Sequence, residues 1–466
     1  MMRKTRLLAT LGPATDSDEM IEQLIEAGVD TVRLNMSHAK HDWCRDLTAR
    51  VRKHAEAAGR VVGVLFDLQG PSIRTGTLEK AYQLKAGDQV EFHLRSAEPS
   101  LPIATSVNYD GLVEDVSTGD TLIVDNGSLI MEVEDVQADR IRCLNKTPGE
   151  LGSRRHINLP GVRLNLPALT DKDREDLQLA VECEADYVAG SFVRDAGHVR
   201  ELRAAINDFG GKAQLVSKLE DQEAIRNLRD IISESDLIMV ARGDLGIEVH
   251  IEELPIIQRR IVKTCIEAGR RVIVATHLLE SMISSPTPTR AEVTDVANAV
   301  FEEADALMVS GETSVGKYPV RCIEMLDRVA RRIEKSGGLG YGNHTVLRTE
   351  KHKLIRAAVG LADSMPQALI VVFTRSGATA HQTALMRPRS PIFAFTPDPL
   401  VCRTLTLSRS VRSFSMEFAD SPRKTIAQAV EMLRHRSDMT PGTPLVVVSD
   451  TLQEGHTVNT LLIEHA

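Results

Sequence analysis

The chain has 466 residues, 42% apolar and 26% charged, the composition of a folded globular protein long enough for two or three cores. A formal net charge of −9 argues against a nucleic-acid binder, so any phosphate must be held by a local cationic pocket. No window approaches ~18 uninterrupted apolar residues, so no membrane span is expected. The six cysteines lie far apart with no CxxC pair, and read as reduced thiols of a cytoplasmic protein.

In chain order, KTRLLATLG reads as a strand and SDEMIEQLIEAG as a helix. DTVRLNMS and HDWCRDLTARVRKHAEAAG repeat that pair, and RVVGVLFDL is a third strand. The alternation then breaks. From about residue 70 to 167 the pieces are short and β-like, with an Asp-Asn-Gly hairpin signal at 125–127. This predicts an all-β domain inserted into an α/β one. Alternation resumes with TDKDREDLQLAVECEA, where Thr170 and Asp173 form a capping-box variant. Five further apolar strands follow: ADYVAGSFV, QLVSKLE, SDLIMVARGD, RRVIVATH and DALMVSGE. Three strands before the insertion and five after it predict a closed (β/α)8 TIM barrel. After GGLGYGN the pattern restarts as an open α/β sheet. The expected units are barrel at 1–69 and 168–340, a small β-barrel at 70–167, and a C-terminal α/β domain at 341–466.

Active sites of such barrels lie at the C-terminal strand ends. Those ends carry Arg33, Asn35, Ser37 and His38, then Asp67, Lys218 with Glu220, Arg242-Gly243-Asp244, Thr276, and Ser310-Gly311-Glu312. Cations and carboxylates on one rim suit a divalent metal and a phosphate, because phosphoryl transfer rests on positioning and charge neutralisation. Separately, 374–379 (Thr374-Arg375-Ser376-Gly377-Ala378-Thr379) follows a strand and opens a helix, a local anion-binding geometry.

RLNMSH, LFDLQGPSIRTG, INLPG, SKLE, MVARGDLGIE, ATHLLESM, PTRAEVTDVANAV and SGETSVGKYP together make the chain resemble the pyruvate kinase family over its whole length. The resemblance implies phosphoryl transfer from phosphoenolpyruvate to ADP, giving pyruvate and ATP in glycolysis, and a homotetramer. It implies Mg²⁺, with Mn²⁺ able to stand in, on Glu220 and Asp244. Lys218 would stabilise the phosphoryl group in flight, Arg33 would hold the substrate phosphate, and Gly243 would meet the carboxylate with its N–H. Thr276 would support protonation of the enol carbon through water. Asn35, Ser37, Asp67 and the Leu68 carbonyl match a monovalent-cation cage; Asn35, Ser37, His38, Arg74 and Arg155 would face the nucleotide. Thr374, Arg375, Ser376, Gly377 and Thr379 match a loop that takes an effector phosphate. The segment at 450–460, DTLQEGHTVNT, lacks the aromatic and basic residues of fructose-bisphosphate-type sites, pointing to a sugar monophosphate, a nucleotide or no effector.

Departures matter too. The family's potassium-dependent Asp-Thr-Lys-Gly-Pro-Glu is here Asp67-Leu68-Gln69-Gly70-Pro71-Ser72. Loss of the acid at Ser72 lowers the electrostatic need for K⁺, so K⁺ is not expected to be strictly required. His277, Met36 and Ala39 replace the family's Gln, Phe and Gly. A Mg²⁺-dependent aldolase or lyase acting on pyruvate enolate, and a non-catalytic phosphoenolpyruvate-binding relative, remain the alternatives.

Overall fold

A computed structural model describes residues 2–436, 439–453 and 456–466. Eight parallel strands close into a barrel: Arg6–Thr10, Thr31–Asn35, Gly63–Asp67, Tyr187–Gly190, Gln214–Leu219, Leu237–Ala241, Arg271–Ala275 and Ala306–Val309. The first strand pairs with the second on one side and the eighth on the other. These strands read as mostly continuous apolar runs because both faces are buried. Leu8, Leu65, Val216, Met239 and Ile273 fill the interior. Their neighbours Leu7, Val64, Leu215, Ile238 and Val272 pack outward under the helices.

The insertion forms a seven-stranded sheet running from Ile73–Arg74 at one edge to Ala104–Ser106 at the other. A bridge between Thr75 and Val107 joins those edges, so the sheet curls back on itself. In its hairpin turn Asp125, Asn126 and Gly127 all have positive φ (57°, 54° and 94°), as the sequence signal requires. The chain returns to the barrel through Asp171–Glu182, whose first turn carries the reciprocal Thr170–Asp173 capping box.

The C-terminal sheet has four parallel strands, and His456–His465 is added antiparallel at one edge. This domain closes the barrel floor: Leu407 enters the interior cluster, and the buried Tyr187 hydroxyl donates to the Thr404 carbonyl at 2.7 Å. Among the described residues no helix is long and apolar enough to cross a membrane.

Candidate active site

Barrel closure brings the ends of the second, third, fourth and fifth strands onto one buried cluster. Lys218 reaches Glu220 Oε1 at 2.9 Å and Asp67 Oδ1 at 3.2 Å, and donates to Ser191 Oγ at 2.6 Å. Arg33 directs Nε and Nη2 at Asp67 Oδ2, at 2.7 and 2.6 Å, and Nη1 at Thr10 Oγ1, at 3.1 Å. The other Glu220 oxygen accepts the Phe192 N–H at 2.6 Å. Asp67 Oδ1 is buried and accepts no hydrogen bond in good geometry, although Lys218 lies beside it.

The electrostatics sort these groups. Burial opposes the Lys218 charge, yet Asp67 and Glu220 hold its pKa above the ordinary lysine value. Burial likewise opposes ionised Asp67, but Lys218 and Arg33 hold that carboxyl below the usual range. Glu220 goes the other way: burial, aided by the Asp244 charge, pushes it up against the pull of Lys218. Glu220 and Asp244 thus stand close enough for the charge of one to raise the other. That donor set fits Mg²⁺, which takes few protein oxygens and leaves positions to water and substrate. Among the described residues no three His, Cys, Asp or Glu side chains converge as a metal cage, so the metal would lean on Glu220, Asp244 and substrate oxygens. Asp67 Oδ1, with Lys218 at 3.2 Å but no well-directed hydrogen bond, equally fits a monovalent cation.

Across the mouth, Gly243 donates its N–H to Thr276 Oγ1 at 2.7 Å, and that hydroxyl donates to the Ala275 carbonyl at 2.6 Å. The N–H that the resemblance reserved for a substrate carboxylate therefore has an internal partner. Thr276 and His277 both have positive φ, 68° and 54°, a region unfavourable to a β-branched residue. Asp244 sits half-buried in the first turn of Arg242–Glu248. Glu312 is occupied structurally: its oxygens accept the Leu279 and Ser310 N–H groups at 3.1 and 2.7 Å.

Asn35 and Ser37 form a tight turn beside Asp67, with the Ser37 N–H on Asn35 Oδ1 at 3.2 Å, and His38 is exposed at its tip. The Leu68 carbonyl accepts the Ser191 hydroxyl at 2.8 Å. Arg74 and Arg155 belong to the inserted β domain and keep partners there. Arg74 donates to Ser72 Oγ at 3.1 Å, and Arg155 lies 3.4 Å from Asp125 Oδ1. They are not part of the Lys218 cluster. Where the chain leaves the barrel, Asp173 Oδ1 accepts the Gly70 N–H at 3.0 Å.

The 374–379 loop lies apart, in the C-terminal domain. Gly377 caps Ala378–Leu385 with φ 84°, Arg375 lies over the Phe418 ring at 5.2 Å, Thr374 and Thr379 are buried, and Ser376 is exposed. The segment at 450–460 includes positions 454 and 455, which lie outside the described residues.

Ser191 and Phe192 escaped the sequence reading, though the former touches Lys218 and the latter Glu220. The available signal was a hydroxyl at the C-terminal end of the fourth strand, in AGSF. Phe192 also has positive φ (54°), so both mouth loops store backbone strain.

A family model described as "Pyruvate kinase, barrel domain" matches residues 2–323, and one described as "Pyruvate kinase, alpha/beta domain" matches residues 352–464. The pyruvate kinase of Mycobacterium intracellulare is 38% identical, covering 96% of this chain and 95% of its own. Plastidial pyruvate kinase 2 of Arabidopsis thaliana is 39% identical, covering 97% of this chain and 78% of its own. A crystal structure of a pyruvate kinase from Cryptosporidium parvum superposes with a TM-score of 0.93 at 32% identity, over 99% of this chain and 96% of that one. Likeness of this extent, carried by both the barrel and the C-terminal sheet, assigns the chain to the pyruvate kinase family.

Proposed function

We infer that the barrel rim transfers the phosphoryl group of phosphoenolpyruvate to ADP, yielding pyruvate and ATP in glycolysis. The observation that carries the assignment to this site is Lys218, buried and charged between Asp67 and Glu220, where a dianionic group in transit needs a fixed cation. Arg33, already oriented by Asp67, holds the substrate phosphate. Mg²⁺ on Glu220 and Asp244 supplies charge neutralisation for the phosphoryl oxygens. Gly243 and Thr276 face the enolate end, and Thr276 supports its protonation through water, since a lone hydroxyl is too weak an acid.

Asn35, Ser37, His38, Arg74 and Arg155 serve the nucleotide, with residues 70–167 closing as a lid over the 1–69 and 168–340 barrel to exclude water. Asn35, Ser37, Asp67 and the Leu68 carbonyl form the monovalent-cation cage. The family uses K⁺; in this chain Ser72 carries no charge for K⁺ to offset, and we assign it a weak K⁺ requirement. The 341–466 domain carries the effector loop Thr374–Thr379. A homotetramer follows from family membership, and a cytoplasmic location is supported by six free thiols.

The lyase and non-catalytic alternatives are not favoured, and neither accounts for a nucleotide-facing lid. The test is pyruvate formation from phosphoenolpyruvate with Mg²⁺, with and without ADP. Strict ADP dependence with stoichiometric ATP supports the kinase. Pyruvate release without ADP, or no turnover at all, overturns it.

A further inference from the structure

The Thr276 backbone poses a problem. A β-branched residue at φ 68° costs about 1–2 kcal/mol relative to the right-handed region, so something must hold it there. The neighbouring Arg242 does so. Buried at the start of Arg242–Glu248, it donates Nη2 to the Thr276 carbonyl at 2.6 Å and Nε to the Ala275 carbonyl at 3.2 Å. Its Nη1 is anchored by Asp295 Oδ1 at 2.7 Å and Gln258 Oε1 at 3.2 Å, from two outer helices. A planar guanidinium can grip two consecutive carbonyls while its far edge is pinned; an ammonium cannot. With both carbonyls held, the Thr276 hydroxyl is fixed between the Gly243 N–H and the Ala275 carbonyl.

We propose that Arg242 is a positioning residue for enolate protonation: its clamp on the Ala275 and Thr276 carbonyls sets the left-handed Thr276 backbone and so aims the Thr276 hydroxyl. This rests on the role given to Thr276 above. Arg242 touches no reacting atom. Without it the loop relaxes toward negative φ and the hydroxyl turns away, while Lys218, Glu220 and Asp67 keep their own contacts.

The experiment separates protonation from phosphoryl transfer. Deuterium uptake into the pyruvate methyl group from D2O, with Mg²⁺ and ATP, is followed by NMR beside kcat and KM for phosphoenolpyruvate. The proteins are wild type, Arg242→Lys, Asp295→Asn, Thr276→Ala and the Arg242→Lys/Thr276→Ala double variant. Misplacing the group by about 1 Å predicts a loss on the order of 100-fold in exchange for Arg242→Lys, with KM nearly unchanged. Asp295→Asn, which leaves Arg242 in place but loosens its anchor, gives a smaller loss and carries the test if Arg242→Lys does not fold. The double variant exchanges as slowly as Thr276→Ala alone, because both act through one hydroxyl. Losses that multiply, or unchanged exchange in both Arg242→Lys and Asp295→Asn, overturn the clamp while leaving Thr276 in its role. Unchanged exchange in Thr276→Ala overturns the role of Thr276 and the clamp with it.

Discussion

The two ends of the barrel are both rich in buried charge, but they use it differently. At the floor three buried carboxylates, Asp305, Asp30 and Asp186, are each held by arginines. Asp305 takes both Arg387 nitrogens at 2.7 and 2.8 Å and the Val272 N–H at 3.0 Å. Asp30 is gripped by Arg3 and Arg6 at 2.9 and 3.0 Å. Asp186 lies between Arg52 and Arg403, both at 2.7 Å. Burial opposes the charges of Asp305 and Asp30, yet arginines hold both carboxyls below the usual range. At the rim Glu220 is pushed up, Asp67 Oδ1 has the Lys218 ammonium beside it at 3.2 Å but no well-directed hydrogen bond, and Phe192, Thr276 and His277 adopt left-handed backbone. Burial of charge does not by itself mark a site, nor does left-handed backbone, which Glu184, Glu303, Arg387 and Ser410 adopt at the floor; a carboxyl pushed up beside a buried cation does.

The sharpest way to break this contrast is at the floor. Asp305→Ala strands buried Arg387 and is expected to cost about 3–5 kcal/mol of stability, read as a lowered Tm, with kcat of the surviving folded protein unchanged. A normal Tm would show that the floor pairs are not structural. At the rim, Lys218→Met is expected to lower kcat by about 10²–10³-fold and to lower Tm as well, because buried Asp67 and Glu220 lose their counter-charge; an unaltered kcat would remove Lys218 from the chemistry. Gly70→Ala probes the rim where the chain leaves the barrel for the inserted sheet. Gly70 has φ 71°, and a Cβ there would come 2.7 Å from Ser191 Cβ, behind Lys218. The left-handed backbone alone costs about 1–2 kcal/mol, and displaced Ser191 should lower kcat as well as Tm. A fall in Tm alone would detach Ser191 from Lys218.

The smallest effects concern pH and salt. Glu248, on the turn below Asp244, accepts from the lid residue Asn158 at 2.8 Å. Burial pushes its carboxyl up to about 7, against the Asn158 hydrogen bond, with Asp221 adding to the rise. Between about pH 4.5 and 7 the folded chain keeps this proton after the unfolded chain has lost it, so its contribution to stability falls as pH rises. Glu248→Gln should therefore gain Tm relative to wild type between pH 5 and pH 8. A constant difference would contradict the assignment. Replacing K⁺ by tetramethylammonium should lower turnover only modestly; abolished activity would show that Ser72 does not relieve the requirement.

Much of this was legible in the chain. The eight barrel strands are apolar runs, and the rim residues stand at their ends, so Arg33, Asp67, Lys218 and Glu220 could be named before any contact was known. That the inserted sheet closes was expected, but the contact that closes it, between Thr75 and Val107, was not legible, because a single bridge leaves no periodicity. Nor was Ser191: its hydroxyl gains meaning only when the fourth and fifth strands pair and set it beside Lys218. Arg242 was visible at the rim, but its grip on Ala275 and Thr276 depends on the sixth and seventh strands being neighbours. Strand ends are encoded locally; what links one to the next is encoded by barrel closure.

The most direct measurement is Mn²⁺ binding, by electron paramagnetic resonance, to wild type, Glu220→Gln and Asp305→Asn. The account predicts that Glu220→Gln weakens binding by about 100-fold with Tm unchanged, whereas Asp305→Asn lowers Tm and binds Mn²⁺ as wild type does. Wild-type Mn²⁺ affinity in Glu220→Gln would contradict it, since the rim carboxylates would then be no more a cation site than those of the floor.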